Sequence, residues 1–288
     1  MRLMKLSRPI VLTVLAAAGI LAGCMSHSEH AQGKIGLQLY SLRAQLATNI
    51  SALDEVRDWG IKDVELAGTY GKSPEDFKAE LDKRGLVAIS GHFGFDQWEH
   101  DPEGMVAQAE KLGLTYVGCA WIPHTEPFDE AACRHAAAVF NHAGEIAAQH
   151  HMTFFYHTHG YEFRPFENGT LFDLLLRETN PQQVKFEMDI FWVADANQDP
   201  AKLLLAYPDR FALVHVKDMR KGTAIGFLPT HAGPSDNVVA GQGELDMPGI
   251  IKAAQSIGVK YYFIEDESAS SEAQIPQTIA YLKKYLQE

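Results

Sequence analysis

Four short apolar stretches of the chain each end in a residue type that binds metal ions. The residues at these ends are His157, Asp189, His215 and Glu265. Two imidazole nitrogens and two carboxylate oxygens form a mixed donor set that suits Mn, Co, Zn or Fe and leaves positions open for substrate oxygens. If the four stretches are strands of one parallel sheet, their ends meet at one edge, where we predict a divalent metal centre.

The residues two positions away from these candidates belong to the same faces, because side chains alternate along a strand. Glu187 shares a face with Asp189, and Lys217 shares a face with His215. Buried charges need partners. The alternative to a role in the site is therefore a structural pairing, and Glu187 and Lys217 are the best candidates for an ion pair one layer deeper than the metal centre.

The elements that would position these residues are eight strands alternating with helices. The predicted strands cover residues 35–40, 63–66, 87–90, 115–119, 152–157, 184–189, 212–216 and 261–265. Nearly continuous apolar runs are typical of a parallel sheet that is covered on both faces. Eight such units predict a (β/α)8 TIM barrel, whose usual size is about 250 residues. A doubly wound open sheet is the alternative, but no glycine-rich phosphate loop follows the first strand.

Three of the predicted helices have clear start signals. Ser73, Asp101 and Asp199 each precede a proline, which is typical of a capping residue followed by the first helical position. Two cysteines, Cys119 in a strand-like run and Cys133 in a helical one, are expected to be buried thiols rather than a disulfide.

The N-terminal residues are predicted to lie outside the barrel. Three basic residues precede an apolar run of 12 residues at 10–21, which is too short to span a bilayer and is typical of a secretory signal. The letters LAGC at 21–24 resemble a bacterial lipobox, after which the cysteine is lipidated. We therefore expect a signal at 1–23, a lipid anchor on Cys24, a tether at 24–33 and the barrel at 34–288. Such a protein is periplasmic and membrane-anchored, and Met25 in place of an aspartate favours the outer membrane.

The charge of the chain argues against nucleic-acid partners. There are 37 acidic and 25 basic residues, so the net charge is −12, and a surface of this sign repels phosphate backbones. One long segment, 220–243, contains five Gly and two Pro and follows the seventh strand. It is either a lid over the site or an insertion without a role, and the sequence leaves both open.

Several motifs follow one another along the chain. They are KIGLQLYSLR at 34–43, VELAG at 64–68, YHTH at 156–159 with EF at 162–163, EMD at 187–189, HVKD at 215–218 and IE at 264–265. As a set they resemble the xylose isomerase-like TIM-barrel family, which includes sugar phosphate isomerases and epimerases, inosose dehydratases and AP endonucleases. The resemblance covers the chain from Lys34 to the C-terminus.

The resemblance implies a Mn, Co, Mg or Zn ion held by residues of strands five to eight. Those positions fall on His157, Asp189, His215 and Glu265. The epimerase branch has glutamate at the strand-five position, so His157 argues against a symmetric pair of acid–base glutamates. We predict Glu265 and Glu162 as the catalytic residues. The predicted substrate contacts are His92, His159, Lys217 and Trp121.

The chemistry implied by the resemblance begins with removal of the proton next to a sugar carbonyl. Return of the proton to another carbon is isomerisation, return to the other face is epimerisation, and loss of a β-hydroxyl is dehydration. We expect an isomerase or epimerase of a sugar or keto-sugar, with a dehydratase as the second reading. A lipoprotein that binds sugar or metal without turnover is the alternative from another class. The sequence leaves the substrate, the metal and the oligomeric state open.

Overall fold

The computed structural model describes residues 33–227 and 232–286, and its centre is a closed barrel of eight parallel strands. The strands are β1 Lys34–Gln38, β2 Asp63–Leu66, β3 Val87–Phe93, β4 Tyr116–Cys119, β5 Thr153–His157, β6 Val184–Asp189, β7 Phe211–Val216 and β8 Tyr261–Ile264. Each strand pairs with the next along the chain, and β8 pairs with β1. The predicted (β/α)8 barrel is confirmed. The predicted signal and Cys24 lie outside the described residues.

At least one helix follows every strand. The helices are α1 Arg43–Leu46, α2 Ala52–Asp58, α3 Pro74–Asp82, α4 Phe95–His100, α5 Pro102–Leu112, α6 Glu130–Gln149, α7 Leu171–Glu178, α8 Ile190–Asp195, α9 Pro200–Ala206, α10 Met247–Ser256 and α11 Ser271–Leu282. The side chains of Ser73, Asp101 and Asp199 accept N–H groups of the first turns of α3, α5 and α9, as predicted. Within the described ranges, no helix is both long and apolar enough to cross a membrane.

A plug of apolar side chains lies below the polar strand ends. Phe155, Leu213 and Phe263 are fully buried and form a cluster of their own with Ile89. Glycines make room for it, because a Cβ atom on Gly36 would collide with the ring of Phe263. The residues two positions further along these strands are His157, His215 and Glu265. Alternation therefore places the polar groups on the same faces, one layer nearer the C-terminal end of the barrel.

Two strand boundaries differ from the prediction in a way that matters for the site. The third strand continues to Phe93 instead of ending at 90, so His92 lies within β3 rather than after it. The eighth strand ends at Ile264, and Glu265 follows it directly. The backbone of a polar residue at the barrel mouth can still form strand hydrogen bonds. The polarity of His92 therefore did not mark the end of β3.

The described parts of the long segment after β7 are attached to the barrel. Asp218 and Met219 pair with Asn237 and Val238 in a short antiparallel ladder. The Asp218 carboxylate accepts the N–H groups of Gly241 and Gly243 at 2.8 and 3.0 Å. The two cysteines of the described chain, Cys119 and Cys133, are buried free thiols, as expected.

Candidate active site

The four predicted metal ligands meet at the C-terminal end of the barrel. One donor atom from each of His157, Asp189, His215 and Glu265 lies within 4.8 Å of the other three. Oδ2 of Asp189 is 3.9 Å from Nε2 of His157 and 3.9 Å from Nδ1 of His215. Glu265 Oε2 is 3.2 Å from the same His215 nitrogen. All four side chains are buried.

A layer of carboxylates below this group sets the orientation of the histidines. Glu187 Oε2 lies 3.1 Å from His157 Nδ1 and 3.1 Å from His215 Nε2. Glu65 Oε1 lies 2.6 Å from His215 Nε2. Carboxylates that accept the inner N–H groups hold the rings and direct the outer nitrogens, His157 Nε2 and His215 Nδ1, toward Asp189.

His92 adds a third imidazole to this lower layer. Its Nε2 atom lies 3.1 Å from Glu187 Oε2 and 3.3 Å from Glu65 Oε1. Because the ring belongs to β3, it faces the barrel interior opposite β7, and its centroid lies 5.9 Å from that of His215. His92 therefore reaches the site as predicted, but it contacts the supporting carboxylates.

Lys217 does not form the predicted ion pair with Glu187. Its ammonium nitrogen lies 2.9 Å from Asp189 Oδ2, 2.6 Å from Glu265 Oε2 and 2.8 Å from Glu267 Oε1. Lys217 follows His215 toward the barrel mouth, whereas Glu187 precedes Asp189 and lies deeper. The two residues therefore belong to different layers, and the predicted pairing was wrong.

Burial and charge act against each other at these groups. Burial alone would lower the pKa of His215, but Glu187, Glu265 and Glu65 outweigh it and raise that pKa well above its usual value. Burial would raise the pKa of Glu265, but Lys217 and His215 hold that pKa well below its usual range. For Asp189 burial prevails over Lys217, and the pKa is raised. The positive charges at Lys217 and His215 therefore oppose part of the negative charge of the carboxylates.

The donor set fits a divalent cation. Asp189 Oδ2 is buried and accepts no hydrogen bond from the described residues, since the Lys217 ammonium approaches it outside hydrogen-bond geometry. The charge of this oxygen is paired with the ammonium group, but no hydrogen bond is donated to it, so it can still serve as a metal ligand. Two oriented imidazoles and a second carboxylate surround it, which is the chemistry that Zn, Mn or Co prefers.

An inner cavity of about 340 Å³ lies directly above these groups. Its walls include His92, His157, His159, Trp121, Glu265 and Glu267. Three of the four predicted substrate contacts, His92, His159 and Trp121, therefore line it. Lys217 does not line it, because the side chains of Glu265 and Glu267 bind its ammonium group. The alternation that placed Glu265 at the site also points to Glu267, two residues further on.

Glu162 is the predicted site residue that the structure places elsewhere. It is fully buried in the turn Tyr161–Phe163 and does not line the inner cavity. Its carboxylate accepts the hydroxyl of Tyr156 and the backbone N–H of His159, the latter at 3.1 Å. This position does not fit the predicted general base. Glu162 instead stabilises the turn after β5. The sequence did not predict this, because spacing along the chain does not show that the turn folds the side chain inward.

The fold and the site together define a class, that of (β/α)8-barrel proteins with a candidate metal centre at the C-terminal end of the strands. The chain belongs to the xylose isomerase-like TIM-barrel family, whose model matches residues 53–285. The resemblance read from the sequence motifs is thereby confirmed at the level of the family.

Individual relatives are distant. An inosose dehydratase of Lacticaseibacillus casei is 24% identical over 265 residues, which cover 82% of this chain and 87% of the relative. A sugar phosphate isomerase/epimerase structure from Parabacteroides distasonis ATCC 8503 is 25% identical with a TM-score of 0.71, covering 88% of this chain and 98% of that one. The structure of an IOLI protein with a bound zinc atom is 16% identical with a TM-score of 0.69, covering 88% and 100%, and shows the shared fold.

Proposed function

We propose that this protein is a metal-dependent enzyme that removes the proton next to a carbonyl group of a sugar or keto-sugar, as an isomerase or epimerase does. The observation that carries the proposal is the group of four donor residues, two of which, His157 and Glu265, line the inner cavity. Asp189 Oδ2, a third donor, is buried and accepts no hydrogen bond from the described residues. The names of the similar proteins, a sugar phosphate isomerase/epimerase and an inosose dehydratase, support the same class of chemistry.

His157, Asp189, His215 and Glu265 would hold the ion, which we propose to be Mn, Co, Mg or Zn. The zinc atom of the IOLI structure supports a metal in this fold. A bound divalent ion supplies Lewis acidity, which lowers the cost of negative charge on oxygens beside the reacting carbon. The inner carboxylates Glu187 and Glu65 keep the two imidazoles in position for it.

We assign proton removal to Glu267. It lines the inner cavity beside Glu265, and it lies outside the set of four donor residues. Against the effect of burial, Lys217 and His215 keep the pKa of Glu265 low, and Glu265 is one of the four proposed metal ligands, so we leave that role to it. Lys217 stays protonated, since three carboxylates outweigh burial and raise its pKa. Its charge holds both glutamates on the β8 side of the cavity.

A dehydratase is the second candidate, and one observation favours it. The carboxylates that line the inner cavity both follow β8, and the β5 side offers the imidazoles of His157 and His159 instead. Among the described residues that line this cavity, no carboxylate stands opposite Glu265 and Glu267, so epimerisation by two opposed carboxylates lacks its second carboxylate. Elimination needs a base on one side only and an acid for the leaving hydroxyl.

Deuterium exchange tests the proposal. The protein is incubated in deuterated water with Mn or Zn and with a panel of keto-sugars and inososes, and the substrates are analysed by NMR. Deuterium next to the carbonyl, with an isomer as product, supports the isomerase. A conjugated enone, seen by its ultraviolet absorbance, supports the dehydratase. If no member of the panel that binds gains deuterium, the protein binds sugar without turnover and the proposal fails.

We also propose that the chain is anchored to a membrane through Cys24, with its barrel in the periplasm. The proposal rests on the LAGC motif at 21–24 and the apolar run before it. Labelled fatty acid should enter the wild-type chain during expression in a diderm bacterium, and Cys24→Ser should abolish the label. An unlabelled wild-type chain would refute the anchor.

A further inference from the structure

A second cavity opens beside the inner one. This outer cavity has a volume of about 490 Å³. Trp121 and His159 belong to the walls of both cavities, so the two spaces adjoin at these residues. Ligand pockets usually measure about 300–1,000 Å³. The inner cavity alone is at the small end of that range, and a ligand seated there can extend past Trp121 into the outer one.

The outer cavity has aromatic walls that are partly exposed. Trp121 is 50% exposed and Phe227 is 41% exposed, although most large apolar side chains of this protein are buried. Trp192 and Tyr161 complete the aromatic lining. Exposed apolar rings around a cavity indicate a binding surface. The C–H faces of pyranose rings are apolar, and they pack against aromatic faces of this kind.

The charges of both cavities disfavour a phosphate group. Arg164 is the one basic residue of the described outer lining, and its guanidinium lies 3.2 Å from Glu126 Oε2 and 4.8 Å from the centre of the Phe227 ring. The described inner lining contains Glu265 and Glu267 and neither lysine nor arginine. TIM barrels often bind phosphate with the loops after strands 7 and 8, but here the residues after β8 that line the cavity, Glu265 and Glu267, are both acids.

Two nitrogen atoms within the outer wall lack hydrogen-bond partners. His159 Nδ1 and Arg164 Nε are buried and have no hydrogen-bond partner among the described residues. Both residues line the outer cavity, and His159 stands at its junction with the inner one. A ligand with hydroxyl groups, unlike an apolar one, can offer both nitrogens a partner once their side chains turn toward it.

We propose that the substrate is an unphosphorylated glycoside, with the reacting sugar ring in the inner cavity and a second neutral sugar ring in the outer cavity against Trp121, Trp192 and Phe227. This inference deepens the proposed function and rests on it for the choice of the reacting end. The Parabacteroides relative is named for a sugar phosphate substrate. We infer an unphosphorylated substrate here because the side chains that line the inner cavity include two carboxylates and no lysine or arginine among the described residues.

Calorimetric binding to the manganese-loaded protein tests the proposal. The probes are monosaccharides with their disaccharides: glucose with cellobiose and maltose, xylose with xylobiose, and galactose with lactose. Glucose 6-phosphate is the charged probe. At least one disaccharide should bind about tenfold or more tightly than its monosaccharide, which is about 1.4 kcal/mol. Tighter binding of glucose 6-phosphate than of any disaccharide, or no advantage for any disaccharide, overturns the proposal.

Two variants locate the second ring. Phe227→Ala removes an exposed ring of the outer cavity, so the fold is not at risk, and Trp192→Ala removes a second wall. Each should reduce the disaccharide advantage about threefold or more and leave the monosaccharide affinity unchanged. Tyr285→Ala, which removes a half-exposed aromatic ring outside both cavities, is the control. An unchanged advantage in both variants contradicts the placement.

The binding result and the proposed reaction can fail separately. Binding needs no turnover, so a disaccharide preference without deuterium exchange would keep the two-ring site and reject the enzyme. Exchange into monosaccharides only, without any disaccharide preference, would keep the enzyme and reject the second ring.

Discussion

The inner and outer cavities share Trp121 and His159 but are built in different ways. The inner cavity rests on residues in or directly after strands, namely His92 on β3, His157 on β5 and Glu265 after β8. The outer cavity takes Arg164, Trp192 and Phe227 from a turn, a short helix and a loop. Strand ends are held by the barrel on both sides, whereas loops can change with little cost to the core.

The two cavities also differ in charge. The inner one lies on and among three histidines, five carboxylates and one lysine that contact one another. The outer one is mostly aromatic, with a single arginine that pairs with Glu126. This difference indicates that the inner cavity performs the chemistry and the outer cavity selects the substrate. Four substitutions test this division, and we order them from the largest expected effect to the smallest.

Asp189→Ala should abolish metal binding and turnover. A structural zinc site contributes about 10 kcal/mol or more, and loss of one of four ligands removes a large share of it. The barrel should still fold, because Asp189 belongs to the strand end and not to the apolar plug. Mass spectrometry measures the metal content, and circular dichroism measures whether the barrel is folded. Asp58→Asn, on the surface beside Arg57, is the control. Full metal content in Asp189→Ala would remove this residue from the ligand set.

Glu267→Gln should reduce turnover by about 10²–10⁴-fold, the usual contribution of a general base. Metal content should not change, since Glu267 lies outside the four-residue donor group. The deuterium-exchange rate is the measurement, and Glu272→Gln on the exposed face of α11 is the matched control. Normal exchange in the Glu267 variant would return the role of base to Glu265.

Glu187→Gln should weaken metal affinity by about 10–100-fold without removing the site. The side chain holds His157 and His215 from below, and partners of this kind usually contribute that much. A competition titration with a fluorescent zinc chelator gives the affinity. Glu178→Gln, which breaks a surface pair with Arg134, serves for comparison. An unchanged affinity would mean that the imidazoles hold their orientation without the lower layer.

Glu126→Gln should alter the outer cavity alone, and only slightly. It removes the partner of Arg164 and leaves a cationic group at the wall. Exposed ion pairs contribute about 0.2–1 kcal/mol, so glucose 6-phosphate should bind a fewfold more tightly and neutral disaccharides about equally. Calorimetry with both probes decides this, and any change in metal content would contradict the separation of the two cavities.

The sequence predicted the inner cavity better than the outer one for a physical reason. Strand periodicity and the direction of parallel strands constrain where His157, Asp189, His215 and Glu265 must go, and the structure brings these four together. Glu162 lies five residues past His157, but the fold of the following turn buries it against Tyr156. Sequence spacing says little about the side-chain direction in such a turn.

The layer structure of the site was decided by packing. Alternation assigned Glu187 and Lys217 to the interior, yet it did not say that they lie at different heights. The register of β6 against β7, with Asp189 opposite His215, places Lys217 nearer the mouth than Asp189 and leaves Glu187 with the histidines.

The sequence by itself determined the barrel, the positions of its strands within a few residues and the identity of the four candidate ligands. These features follow from local rules, namely the period of two, the capping residues and the common direction of parallel strands. Only the tertiary structure decided which carboxylates support the histidines and that an aromatic cavity adjoins the site. Trp121, Trp192 and Phe227 come from three segments far apart in the chain, so only the folded barrel shows that they line one cavity.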